Sequence, residues 1–201
     1  PPLGIALAMA GHPVLCPDMP GFGARQSEGR EDALAKACLW RGETLLGHML
    51  QDLFVALDYL LQDSPTGAIT VGFSMGAFLS LWTAALRPEI AAAAHMCGFA
   101  AIAPLISSGA HDLHAPYLTV PGLLRAHDLP DVAALIVPRP QFVASGGTDP
   151  LTPPEALGPA LNRLAAVYGP EGRLYLHSEP DTGHQETPAM RAALLSFLEE
   201  L

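Results

Sequence analysis

Three residues far apart in the chain have the types needed for nucleophilic chemistry: Ser74, Asp149 and His184. A serine hydroxyl is a weak nucleophile until a neighbouring base takes its proton. Histidine can take that proton near neutral pH and return it to a leaving group. A carboxylate behind the histidine fixes its tautomer and stabilises the imidazolium. Ser74 is the centre of Gly72-Phe73-Ser74-Met75-Gly76, a G-x-S-x-G pentapeptide. With 19 glycines in 201 residues, the bare pentapeptide is weak evidence. Its flanks strengthen it. The β-favouring run Ala68-Ile69-Thr70-Val71 precedes it, and a helix-favouring run follows as far as Arg87-Pro88. A serine on a sharp strand-to-helix turn stands clear of the sheet. Glycines two before and two after it let strand and helix pass closely. The Met75 N–H, at the start of the helix, is placed to stabilise a developing oxyanion.

Each residue also has a plainer reading: a turn serine, a helix-entry aspartate, a surface-loop histidine. Asp149 follows an apolar strand-like run as Gly147-Thr148-Asp149, and His184 closes Asp181-Thr182-Gly183-His184 after the last such run. These matching positions favour the catalytic reading. Asp181 and Glu179 are weaker substitutes for the acid, because they share the histidine's own loop. His111, Asp112 and His114 lack a clear third ligand, so no metal site is expected there. Asp18, with Gly21 and Gly23, reads as a structural turn. No glycine-rich phosphate loop is present, and no cofactor is expected.

The elements that must position these residues follow from periodicity and punctuation. Residues 3–10 read as a short buried helix ended by Gly11, and 12–17 as a strand. Residues 26–40 read as a surface excursion. Residues 43–61 carry Leu46, Leu50, Leu53, Leu57 and Leu60 at helical spacing, which is a core stripe. Residues 64–67 turn the chain into the strand before Ser74. Further strands are expected at 90–97, 141–145 and 173–177. Thr152-Pro153-Pro154-Glu155 reads as a capping box for a helix closed by Gly169, and Thr187-Pro188 opens the last helix. Residues 98–139 are the least regular part. They are expected to overhang the site as a cap-like insertion in a single domain spanning 1–201. Strands alternating with helices predict an α/β fold: a mostly parallel sheet with helices on both faces and function at the strands' carboxyl ends.

Half of the residues are hydrophobic and 15% are charged, with a net charge of −10. That suits a buried sheet and argues against binding nucleic acid or docking on anionic membranes. No stretch is long and apolar enough to span a bilayer, and residues 3–10 lack a signal peptide's basic flank. A cytoplasmic location is the expectation. Three cysteines (Cys16, Cys38 and Cys97) without framework spacing do not suggest a disulfide scaffold.

The sequence resembles the α/β-hydrolases, in their dienelactone hydrolase and acetyl xylan esterase-like branch. The matching pieces include Val14-Leu15-Cys16-Pro17-Asp18 with Pro20-Gly21-Phe22-Gly23, Asp52 with Ala56-Leu57-Asp58-Tyr59-Leu60, and Gly72 to Gly76. Further on are Pro121-Gly122-Leu123-Leu124, Asp128-Leu129-Pro130-Asp131-Val132, Pro138-Arg139-Pro140, Gly147-Thr148-Asp149 and Gly183-His184. The order serine, acid, histidine is also that of the α/β-hydrolases. The resemblance implies hydrolysis of small carboxylic esters, with a short acyl group, through a Ser74 acyl-enzyme and without metal or organic cofactor. Peptidases, amide hydrolases and thioesterases use the same triad. A non-catalytic or inactive truncated hydrolase fold is a further alternative.

One departure matters. The family begins with further strands and a loop that supplies a second oxyanion N–H, and nothing before Leu3 matches them. The missing strand would lie between residues 12–17 and 68–71. Unpaired backbone there is costly. The expectation is therefore an N-terminally truncated α/β-hydrolase fold, its gap filled by a missing N-terminal segment or by a partner chain in a homo-oligomer.

Overall fold

The computed structural model describes residues 1–63 and 67–201. The turn expected at 64–67 falls largely on residues 64–66, outside the described residues. In chain order the elements are α1 (Leu3–Met9), α2 (Glu31–Trp40), α3 (Leu45–Asp63), β1 (Ala68–Phe73), α4 (Met75–Leu86), β2 (Ile90–Met96), α5 (Ile102–Ser108), α6 (Leu129–Ala134), β3 (Gln141–Gly146), α7 (Pro154–Tyr168), β4 (Leu174–Glu179) and α8 (Pro188–Glu199), with short 3-10 turns between some of them. Among the described residues the sheet has the order β1-β2-β3-β4, and every pair is parallel.

The strands are apolar on both sides because both sides are covered. Alternate residues go to opposite faces of a strand. Ala93 and Val143 join one core with residues of α2, α3, α4, α6 and α7. Their neighbours Ala92, Ala94, Phe142 and Ala144 join a second core with Leu7 of α1 and Met190, Leu194 and Phe197 of α8. The run Ala91-Ala92-Ala93-Ala94 makes β2 narrow enough for helices to lie close on either side. The leucine stripe of α3 is core, as its spacing predicts: Leu46, Leu50 and Leu57 are buried.

Three local expectations are corrected. Residues 12–17 form no strand and pair with none among the described residues. The row of partners they would need is absent beside β1, whose side away from β2 pairs with nothing among the described residues. Residues 26–40 are not an irregular excursion. They contain α2, whose Ala35 and Cys38 are buried in the main core. Thr152 does not cap α7. Pro153 holds the cap position, and the buried Thr152 hydroxyl has no hydrogen-bond partner among the described residues. The capping box lies instead at Asp128, where Asp131 answers it at the start of α6. Asp128 also accepts from Ile102 N (2.6 Å) and Ala103 N (3.0 Å), so one carboxylate ties α5 to α6 within the stretch read as irregular.

Two cavities flank the open side of β1. One, of about 320 Å³, lies among Leu15, Leu57, Ile69, Met75 and Leu79. The other, of about 450 Å³, lies among Leu7, Val14, Val71, Phe73 and Leu198. Ile69, Val14 and Leu15 are partly exposed along this gap.

Candidate active site

Ser74 sits between β1 and α4 with φ 55° and ψ −118°. This left-handed backbone is uncommon for a residue with a Cβ and costs on the order of 1–3 kcal/mol. Two anchors hold it. Ser74 N donates to Met96 O at 2.8 Å, and Ser74 O accepts from Ala77 N and Phe78 N as α4 begins. A Cβ on Gly72 would lie 2.0 Å from the backbone of Gly76, which explains the first glycine. A Cβ on Gly76 would meet nothing within 4 Å. The expectation that both positions must lack a side chain is therefore half corrected. Gly72 yields the space, and Gly76 is the backbone that fills it. Gly98 makes a matching concession: a Cβ there would lie 2.5 Å from Ser74 O.

The three strand ends bring the predicted side chains together. His184 Nε2 lies 2.7 Å from Ser74 Oγ, and His184 Nδ1 lies 2.8 Å from Asp149 Oδ2. Asp149 is 1% exposed, and its other oxygen accepts from Leu151 N at 2.8 Å. A carboxylate only accepts, so the proton facing it belongs on Nδ1 and Nε2 is left as the acceptor for the serine hydroxyl. The Phe73 ring lies 5.0 Å from the His184 ring and walls one side of it. Met75 is the first residue of α4, so its N–H has no acceptor within the helix.

The loops are tied to one another as well as to their strands. Cys97 N donates to Ala144 O (2.9 Å), Gly147 N to Glu179 O (2.8 Å) and Thr148 N to Thr182 O (3.0 Å). This carries the ladder past the sheet and into the Asp149 and His184 loops. Cβ atoms on Gly146 and Gly147 would strike the backbone of Thr182 and Pro180, so these glycines admit the histidine loop.

Glu179, weighed from sequence only as a substitute acid, does something else. Its carboxylate accepts from Thr187 Oγ1 (2.5 Å), Thr182 Oγ1 (3.0 Å) and His177 Nε2 (3.0 Å), so it closes both ends of the loop that carries His184. These bonds, that from Thr187 first, hold its carboxyl below the usual range. The His184 ring nitrogens face Asp149 and Ser74, not Asp181. Cys97 also lies beside the site. It is buried but has φ 52°, and its thiol points toward Gln185 O, next to the histidine. Burial, then the charge of Asp149, pushes that thiol up to about 11, so it stays protonated. His114, considered for a metal, donates through Nε2 to Leu151 O (2.8 Å) and so braces the Asp149 loop. Neither contact had a signal in sequence, since both depend on which loops become neighbours.

With this geometry in view, comparison with known proteins is decisive for the family. The profile of the alpha/beta hydrolase fold matches residues 1–115. The chain belongs to the α/β-hydrolase family. It is 33% identical over 199 residues to YtaP of Bacillus subtilis (strain 168), which carries the name of a hydrolase; the match covers 96% of this chain and 66% of that relative's length. Among solved structures, TT1662 from Thermus thermophilus superposes with a TM-score of 0.67 at 21% identity, over 91% of this chain and 74% of that one. Acetyl xylan esterase 1 from Thermoanaerobacterium sp. JW/SL YS485 gives 0.57 at 18% identity, over 78% and 53%. At these identities the structures speak for the fold. Among the described residues, no helix is long and apolar enough to cross a membrane.

Proposed function

We propose that this α/β-hydrolase cleaves small carboxylic esters through a Ser74 acyl-enzyme. The observation that carries the reading is the continuous relay from Ser74 Oγ through His184 to the buried Asp149. Ser74 attacks the ester carbonyl as His184 Nε2 takes its proton. Met75 N–H stabilises the oxyanion. His184 then protonates the leaving alcohol, and water, activated by the same histidine, releases the acid. Asp149 keeps the imidazole oriented and offsets its charge throughout. An ester with a short acyl group fits the resemblance to acetyl xylan esterases.

One N–H is half of an oxyanion site, and losing one donor typically costs about 10²–10³ in rate. The open side of β1 lies immediately before Ser74. An added strand there, from a second copy or from further polypeptide, would bring a loop beside Met75 and supply the second donor.

The test is hydrolysis of an aryl acetate together with labelling by a fluorophosphonate. Ser74→Ala should lower kcat on the order of 10⁶-fold and abolish labelling. Equal rates in the folded variant and the parent would overturn the assignment.

A further inference from the structure

A second group of chemically capable side chains lies at the α2–α3 connection, on elements that carry none of the triad. Cys38 is in the last turn of α2, Glu43 in the connection and His48 in the first turn of α3. The connection is short and well tied. Cys38 O accepts from both Arg41 N and Glu43 N at 2.9 Å, Gly42 turns the chain at φ 76°, and Thr44 Oγ1 accepts from Gly47 N at 3.0 Å. The folded backbone alone thus brings residues 38, 43 and 48 together, with no long-range contact needed.

Their donor atoms (the Cys38 thiol sulfur, a Glu43 carboxylate oxygen and a His48 ring nitrogen) all lie within 4.8 Å of one another. Three atoms no more than 4.8 Å apart all lie within about 2.8 Å of a common point, against bonds of about 2.0–2.3 Å for zinc with these donors. An ion at that point therefore requires each donor to move by less than about 1 Å. Glu43 and His48 are mobile enough for this, with side chains 48% and 46% exposed. Cys38 is 6% exposed and forms the fixed floor. His48 Nε2 and Glu43 Oε2 share a hydrogen bond of 2.7 Å, so a proton now occupies the line between two ligands that an ion would bridge. Thiolate, imidazole and carboxylate together suit a borderline-soft divalent ion and not calcium or magnesium, which take oxygen ligands.

We propose that Cys38, Glu43 and His48 form a site for a zinc-class divalent cation that clamps the α2–α3 hairpin, with a solvent water in the fourth position. Binding deprotonates the Cys38 thiol and releases that proton to solvent. His48 binds as the neutral imidazole through Nε2, so the proton that Nε2 now shares with Glu43 is given up to solvent and Nδ1 carries the remaining ring proton. This departs from the expectation of no metal, which rested on the His111 and His114 pair. The sequence hides the site because a C-x4-E-x4-H spacing across a helix–turn–helix is no common zinc signature.

The test is titration of the reduced, metal-free 201-residue chain with Co²⁺ in a non-chelating buffer, followed by displacement with Zn²⁺. The expected result is a 1:1 thiolate-to-cobalt charge-transfer band, bleached by zinc. That band should be absent in Cys38→Ser and retained in Cys16→Ser, because Cys16 is the exposed cysteine. The exposed positions give independent variants that do not disturb the core. His48→Ala and Glu43→Gln should each weaken binding at least 10-fold and abolish the rise in Tm that Zn²⁺ gives the parent. A missing band, a band that follows Cys16, or unchanged affinity in His48→Ala would overturn the proposal.

Discussion

Gly72 and Gly76 bracket Ser74 symmetrically in sequence but not in space. Gly72 has the backbone of Gly76 2.0 Å from where its Cβ would lie, whereas Gly76 has no neighbour within 4 Å of its own. Gly72→Ala should therefore cost more than about 3 kcal/mol, beyond ordinary overpacking, because a backbone cannot swing away as a side chain can. Gly76→Ala replaces a glycine in a helix and should gain up to about 1 kcal/mol. Urea unfolding of the two variants checks this directly, and similar losses in both would contradict it. Asp149 offers a second separation of roles. Asp149→Asn preserves shape but presents an amide to His184 Nδ1, so kcat for an aryl acetate should fall on the order of 10⁴-fold while KM changes little. Sequence singled out Ser74, Asp149 and His184 because the chemistry leaves few substitutes, and the fold brings these three side chains within hydrogen-bond reach. The difference between the two glycines was not, because it depends on which of two passing backbones yields.

At the scale of the element, the unit that matters is the loop from β4 to α8, held at both ends by the Glu179 carboxylate. Thr187, which also caps α8 by accepting from Met190 N at 3.0 Å, is one of its two threonine partners. Glu179→Ala should release the loop and lower kcat on the order of 10²-fold, the typical result of a misplacement near 1 Å. Glu179→Gln keeps an acceptor and should recover part of that loss, while far-ultraviolet circular dichroism stays unchanged in both. The folded carboxyl titrates below its ordinary value, so the clamp persists as pH falls through the usual carboxylate range and weakens only below it. A loss of kcat equal in both variants would reduce Glu179 to a general structural role. Sequence placed this loop correctly but not its clamp, since a glutamate two residues from Asp181 reads equally well as a spare acid. Similarly, α2 was unreadable within residues 26–40 because the polar first half masks the short buried face made by Ala35 and Cys38.

For the molecule as a whole, alternation of strands and helices made the parallel sheet legible, and helices do cover both of its faces. The exception is the open side of β1: residues 12–17 read as a strand in sequence but form none and have no partner strand among the described residues, since pairing cannot be read from one segment alone. The middle of the sheet carries a different whole-molecule constraint. His95 on β2 is completely buried, and its Nε2 donates to Gln141 Oε1 at 3.1 Å on the neighbouring strand. Gln141 in turn donates to Ala133 O (3.0 Å) and Tyr168 Oη (2.9 Å), so the histidine is fixed among neutral groups. Burial lowers its pKa from 6.5 to about 4. The unfolded chain binds a proton at this position near pH 6.5, and the folded chain resists it until about pH 4. Stability linked to His95 is therefore fully present above pH 6.5 and declines as pH falls through that window, by about 3 kcal/mol in all. His95→Gln removes the titration while keeping a donor toward Gln141. The unfolding free energy from urea titration should fall steeply for the parent between pH 6.5 and 4, and for the variant it should fall by about 3 kcal/mol less. Parallel curves for the two proteins would show that His95 is already charged in the folded sheet.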